Sequence, residues 1–152
     1  MRAAACLLLL YTAAASAADA AVPCPTGLPR AQAAACTKAQ RTASKHNMLQ
    51  AEKELADKLA AWDADAESVR TAGQNVLYAR HTFKQYRAAQ CQIAATLAGA
   101  SAAAQNIRRN TCMAELNNRR AEQIRALADS LPQRPSEKPS AAQPEPETEE
   151  HL

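Results

Sequence analysis

The sequence predicts an all-α protein: a small disulfide-stapled bundle of about three amphipathic helices, with an irregular N-terminal segment and a disordered C-terminal tail. Three observations carry that expectation. Thirty-nine of the 152 residues are alanine and only three are glycine. No proline occurs between Pro29 and Pro132, a stretch rich in the strong helix formers Ala, Gln, Glu, Lys and Arg. Within that stretch apolar residues recur at helical spacing, and it carries three of the four cysteines left once an N-terminal leader is removed.

The leader comes first. Arg2 precedes an apolar run over residues 3–10 and then the small-residue stretch YTAAASAADA. This is the pattern of a secretory signal peptide over residues 1–20, cleaved after Ala17 or Ala20. Its apolar core is shorter than the ~20 residues that span a bilayer, and no later segment is apolar enough to do so. Cys6 lies too early and Cys24 follows Pro23, so a lipid anchor is disfavoured. The mature chain is expected in the periplasm or outside the cell.

The segment AVPCPTGLPR is irregular, because its three prolines fix φ and remove backbone donors. Pro29 suits the position just before a helix or in its first turn. Met48, Leu55, Trp62 and Val69 then recur every seven residues, with Leu59 and Ala66 between them, as one apolar stripe on one helix. A second stripe runs through Val76, Ala79, Phe83, Tyr86, Ile93 and Leu97, and a third through Met113, Leu116, Ile124, Leu127 and Leu131. The first break lies either at residues 63–65, where an Asp can cap a following helix, or at residues 73–75; the second is preferred. The next break is AGAS, around Gly99. One helical domain, residues 21–131, results. From Pro132 onward five prolines and almost no large apolar residues predict a disordered tail over 132–152.

Loss of Cys6 with the leader leaves Cys24, Cys36, Cys91 and Cys112, an even set in an oxidising compartment, and so points to structural disulfides. Three connectivities are available. Cys24 with Cys36 and Cys91 with Cys112 are favoured, since a helical hairpin turning near residue 100 brings the latter two within reach. Spacings of eleven, fifty-four and twenty intervening residues do not suit a zinc site.

No catalytic arrangement is visible. His46, His81 and His151 lack metal-ligand spacing, no G-x-S-x-G or H-E-x-x-H occurs, and there is no glycine-rich phosphate loop. Asp63, Asp65 and Glu67 begin like a calcium loop, but Ser68 replaces the turn glycine and Gln74 the bidentate glutamate. The sequence therefore predicts no enzyme, no metal and no cofactor. Residues 21–131 carry fifteen Lys/Arg against nine Asp/Glu, a net +6, and the tail carries two against five, a net −3. A basic body of this kind reads first as a solvated, charged surface, with attraction to anionic glycans, lipids or proteins as the alternative. Arg108-Arg109 and Arg119-Arg120 lack the aromatic interleaving of nucleic-acid surfaces, so that partner is not expected.

Two segments carry a family resemblance. ARHTFKQYRAAQC (79–91) and CMAELNNRRAEQIRAL (112–127) resemble the lysozyme-inhibitor LprI N-terminal domain family of small exported bacterial proteins, with its pattern A-Q-x-x-W-x-x-Y-R-x-x-x-C followed by C-x-x-x-L-T-x-x-R-A-x-x-L. Ala79, Tyr86, Arg87 and Cys91 match the first part; Cys112, Leu116, Arg120, Ala121 and, conservatively, Ile124 match the second. Arg80 stands for the usual glutamine, Phe83 for tryptophan and Asn117 for threonine. Ala79, Phe83, Tyr86, Arg87, Leu116 and Arg120 read as framework. The resemblance implies a binding protein that inhibits lysozyme by occluding its cleft, with Arg108 or Arg109 as candidate contacts. Lysozyme or another envelope-acting protein is then the partner. The alternative is a structural or stress protein of the envelope that binds cell-wall or lipopolysaccharide anions.

Overall fold

The computed structural model describes residues 23–99 and 101–133. The expected signal peptide, residues 1–20, and all but the first two residues of the expected tail lie outside the described residues. Three long helices make up the fold: α1, Arg30–Ala60; α2, Ala66–Thr96; and α3, Ala102–Asp129. This is the all-α, disulfide-stapled bundle that the composition and periodicity predict.

Each helix starts where local chemistry favours it. Pro29 precedes α1, and its carbonyl accepts the Ala33 N–H at 2.9 Å. Asp65 caps α2: one carboxylate oxygen accepts the Ser68 N–H at 2.8 Å, and the other accepts the Ser68 hydroxyl at 2.7 Å. The hydroxyl and then the N–H of Ser68 hold the Asp65 carboxyl below its ordinary pKa. Ser101 caps α3 by accepting the Ala104 N–H at 3.2 Å. Between α2 and α3, Gly99 adopts φ +100°, a conformation that glycine enters without steric cost.

The first corner differs from the preferred expectation. It occupies residues 61–65, and Gly73 and Asn75 lie inside α2. A glycine within a helix costs only ~1 kcal/mol relative to alanine. The Asp65 cap and thirty further helical residues outweigh that cost. The stripe assigned to one helix is consequently cut: Met48, Leu55 and Leu59 belong to α1, Trp62 to the corner and Val69 to α2.

α3 packs against both other helices, whereas α1 and α2 meet only sparsely. Arg41 bonds Asn110, Asn47 bonds Asn118, Arg125 bonds Glu54 and Lys58 bonds Asp129, a near-constant sequence offset that makes α1 and α3 parallel. α2 returns antiparallel, with Cys91 on Cys112 and Gln92 on Arg109. Along the parallel pair, Ala114, Asn117, Ala121, Ile124 and Ala128 of α3 recur in steps of three and four, and so do Ser44, Met48, Ala51 and Leu55 of α1. All are buried, which gives a short seam of coiled-coil type. Ala72, Val76 and Phe83 of α2, with Trp62 and Leu131, close the core over this seam.

The other two stripes are only partly buried. Val76, Ala79 and Phe83 are half-buried, but Tyr86, Ile93 and Leu97 are 54%, 56% and 82% exposed. Cys91 and Ala95 are what α2 buries at that end. On α3, Ile124 is core, Met113, Leu116 and Leu131 are half-buried, and Leu127 is exposed. The Cα atoms of Cys91 and Cys112 are 5.5 Å apart, and backbones held that close leave room for small side chains rather than large ones. At the opposite end the Asp63 N–H donates to the Pro132 carbonyl at 3.1 Å and Trp62 bridges to Gln133. The first two residues assigned to the tail therefore pair with the α1–α2 corner.

The second disulfide joins Cys24 to Cys36, fastening the irregular segment to the start of α1. Closing the 21-residue separation between Cys91 and Cys112 contributes on the order of 3 kcal/mol in the chain-entropy account. Thermal unfolding followed by circular dichroism should therefore shift to lower temperature in dithiothreitol. An unchanged Tm would show that neither bond holds the fold.

Candidate functional site

Because α1 and α2 scarcely touch, α3 is left as the floor of a depression of about 270 Å³ between them. Arg41 and Lys45 of α1, Arg87 of α2, and Met113 and Asn117 of α3 line it. A second depression of about 300 Å³ shares Arg41 and adds Lys38, Arg109, Asn106 and Asn110. Neither is lined by a carboxylate.

Arg87 and Asn117 form the floor. Asn117 is only 1% exposed, and its side-chain oxygen accepts a hydrogen bond from Arg87 Nη1. Its Nδ2 donates to Ser44 Oγ at 3.1 Å, and the Ser44 hydroxyl donates onward to the Arg41 carbonyl at 3.0 Å. A polar relay thus runs from α2 through α3 to the backbone of α1, and it fixes where the guanidinium points. The guanidinium carbons of Arg87 and Arg120 each lie 5.6 Å from the centre of the Phe83 ring, within cation–π range. Burial lowers the pKa of Arg87, the nearby charge of Arg41 lowers it further, and Glu52 opposes both. Glu52 is itself ion-paired with Arg80 at 3.0 Å.

The residues that carry the family resemblance fall in three groups. Phe83, Arg87 and Arg120 come together across α2 and α3, and Cys91 and Cys112 join the same two helices about two turns further along. Ala79 and Leu116 are half-buried packing residues, and Tyr86 is an exposed one. Arg108 and Arg109 part company: Arg108 borders a shallow apolar depression with Ile93 and Leu97, whereas Arg109 donates to Gln92 at 2.5 Å and lines the second cationic depression. His46 and His81 are exposed, and among the described residues no cluster of His, Cys, Asp or Glu could hold a metal ion. Asp65 is a helix cap and Glu67 pairs with Arg70 at 2.5 Å, so the acidic run serves the α2 N-terminus.

Lys38, Arg41, Ser44 and Lys45 belong to none of the motifs above, and Asn117 stands there only as the residue in place of the family's threonine. Two signals mark them. Lys38, Arg41 and Lys45 recur at steps of three and four, on one face of a helix, and no Asp or Glu occurs in residues 20–51 or 68–114. All six ion pairs among the described residues lie outside that acid-free end or, like Arg80, reach out of it.

Removing Asn117 strands Arg87 Nη1 and leaves Ser44 Oγ with its bond to the Arg41 carbonyl alone. Asn117→Ala should lower unfolding stability in urea by about 1–3 kcal/mol. Ser44→Ala in the same background should add little, since the partner is already gone. Fully additive losses would show that the relay is not a unit.

No family model matches the chain, and no curated protein matches it. Among solved structures, the crystal structure of a DUF1311 family protein from Pseudomonas putida KT2440 is similar at 22% identity and a TM-score of 0.58, covering 65% of this chain and 93% of that one. The chain shares the fold of that protein.

Proposed function

We propose that this chain is an exported, non-enzymatic binding protein of the LprI-like kind, which works by occupying a partner rather than by transforming one. The observation that carries the reading is that α2 and α3 are joined by the Phe83, Arg87 and Arg120 cluster and by the Cys91–Cys112 bond, since those positions carry the family resemblance. The similar fold belongs to a DUF1311 protein, and LprI-like proteins fall in DUF1311. Two disulfides suit an oxidising compartment, and no described helix is long and apolar enough to cross a membrane.

Lysozyme is the partner named by the resemblance. Occlusion of its cleft needs a rigid projection and complementary polar groups; a basic side chain against the paired carboxylates would serve, and Arg108 is exposed. A molar excess of the mature protein should slow lysozyme-driven clearing of a cell-wall suspension, and undiminished clearing would remove lysozyme as the partner.

The acid-free cationic end favours a second reading, in which the partner is an anionic polymer of the envelope. Common animal lysozymes are basic, so this end would slow their approach, whereas it speeds that of a polyanion. Retention on isolated lipopolysaccharide should fall steeply between low and high salt, because exposed charges are screened. Salt-independent retention would overturn this reading.

A further inference from the structure

We propose that the depression formed by Arg41 and Lys45 of α1, Arg87 of α2 and Asn117 of α3 is a binding site for a phosphate group. The proposal rests on the second reading above, that the protein takes up anions, and gives it a place and a ligand chemistry.

The charges are arranged at a cost that an anion would relieve. Arg41 acts on Arg87 as a like charge, and the carboxylate that opposes it, Glu52, is already committed to Arg80. The Nε–H of Arg87 is buried and has no hydrogen-bond partner among the described residues. An unmet donor on a charged group is expensive to bury. Meanwhile the same guanidinium is held by Asn117, which is held by Ser44, so the head does not swing out to water at will. A guanidinium held in place beside two exposed cations, in a depression that no carboxylate lines, is a preorganised anion site.

The ligand class follows from the donors. A tetrahedral phosphate has enough acceptor oxygens to meet Arg87 from the floor while Arg41 and Lys45 close from α1, and its second negative charge answers the surplus of cations. A carboxylate has one charge and two oxygens and leaves a cation unmet. In the adjoining depression, Arg109 stands next to Lys38 and the shared Arg41. A ligand bearing two neighbouring phosphates would fill both, as a phosphorylated polymer does.

The test uses the full chain and the Nε–Hε resonances of its arginines. Inorganic phosphate should move the Arg87 resonance saturably, and acetate at equal ionic strength should not. R41Q/K45Q, two exposed positions, should weaken phosphate binding about tenfold or more with an unchanged Tm, while Arg108→Gln leaves it as it was. On lipopolysaccharide and its dephosphorylated form, preferential retention of the phosphorylated one identifies the polymer as a source. Phosphate binding without that preference supports the site with a soluble phosphoester as its ligand. A still Arg87 resonance, an equal response to acetate, or wild-type phosphate binding by R41Q/K45Q would overturn the proposal. If salt-sensitive retention on lipopolysaccharide persisted in that case, the broader anion reading would stand with its site elsewhere; loss of both would remove both.

Discussion

α2 has thirty-one residues and buries only two of them, Cys91 and Ala95, both at 0% exposure. Alanine brings little apolar area out of water, roughly the ~0.8 kcal/mol of a single methylene-sized group. The helix is therefore not held at that end by a hydrophobic interface of ordinary size. Its bond to Cys112 does the holding, and the consequences spread outward. The short Cα separation excludes large side chains nearby, which is why Ile93 and Leu97 face solvent. It also brings Arg87 within reach of Asn117, one helical turn before the bond on α2 and beyond it on α3. At the other end Val76 and Phe83 do reach the apolar core, and α2 is anchored there by packing and by the Arg80–Glu52 pair.

The seam between α1 and α3 poses a different problem. Ala114, Ala121 and Ala128 are nearly interchangeable from the standpoint of packing, so a slip by one heptad would cost little in apolar contact. Asn117 favours the observed alignment. Buried opposite Ser44, it donates to that hydroxyl in the observed register, and a polar residue at a core position of parallel helices specifies alignment in this way. The ion pair from Lys58 to Asp129 and the pair from Arg125 to Glu54 repeat the same offset along the surface.

Much of this was legible from the residues. Absence of proline over a hundred residues, with Pro29 and Gly99 near helix ends, delimited the helical domain. Met48, Leu55, Leu59 and Ile124 were recognisable as core because their size and spacing agree. What misled was weight given to size alone: Tyr86, Ile93, Leu97 and Leu127 had the right periodicity, yet alanine and cysteine take the close interfaces. At the first corner Gly73 looked like a break, but glycine permits a turn without requiring one, whereas Asp65 makes bonds that only a helix start offers. The cationic site was hidden because Arg87 lies far along the chain from the Lys38, Arg41 and Lys45 face, and no local pattern says that α1 and α2 diverge above α3.

Parallel alignment of α1 and α3 places both of their N-termini at one end of the molecule, beside Lys38, Arg41, Lys45 and Arg109, and sends Asp57, Asp63, Asp65, Glu67 and Asp129 to the other. Two helix dipoles out of three add to the same sense as the side chains. The body is electrically a rod with a positive head and a negative foot. In the field of a negatively charged surface such a rod turns before it touches, and arrives head first. The end that leads is also the end crossed by both disulfides.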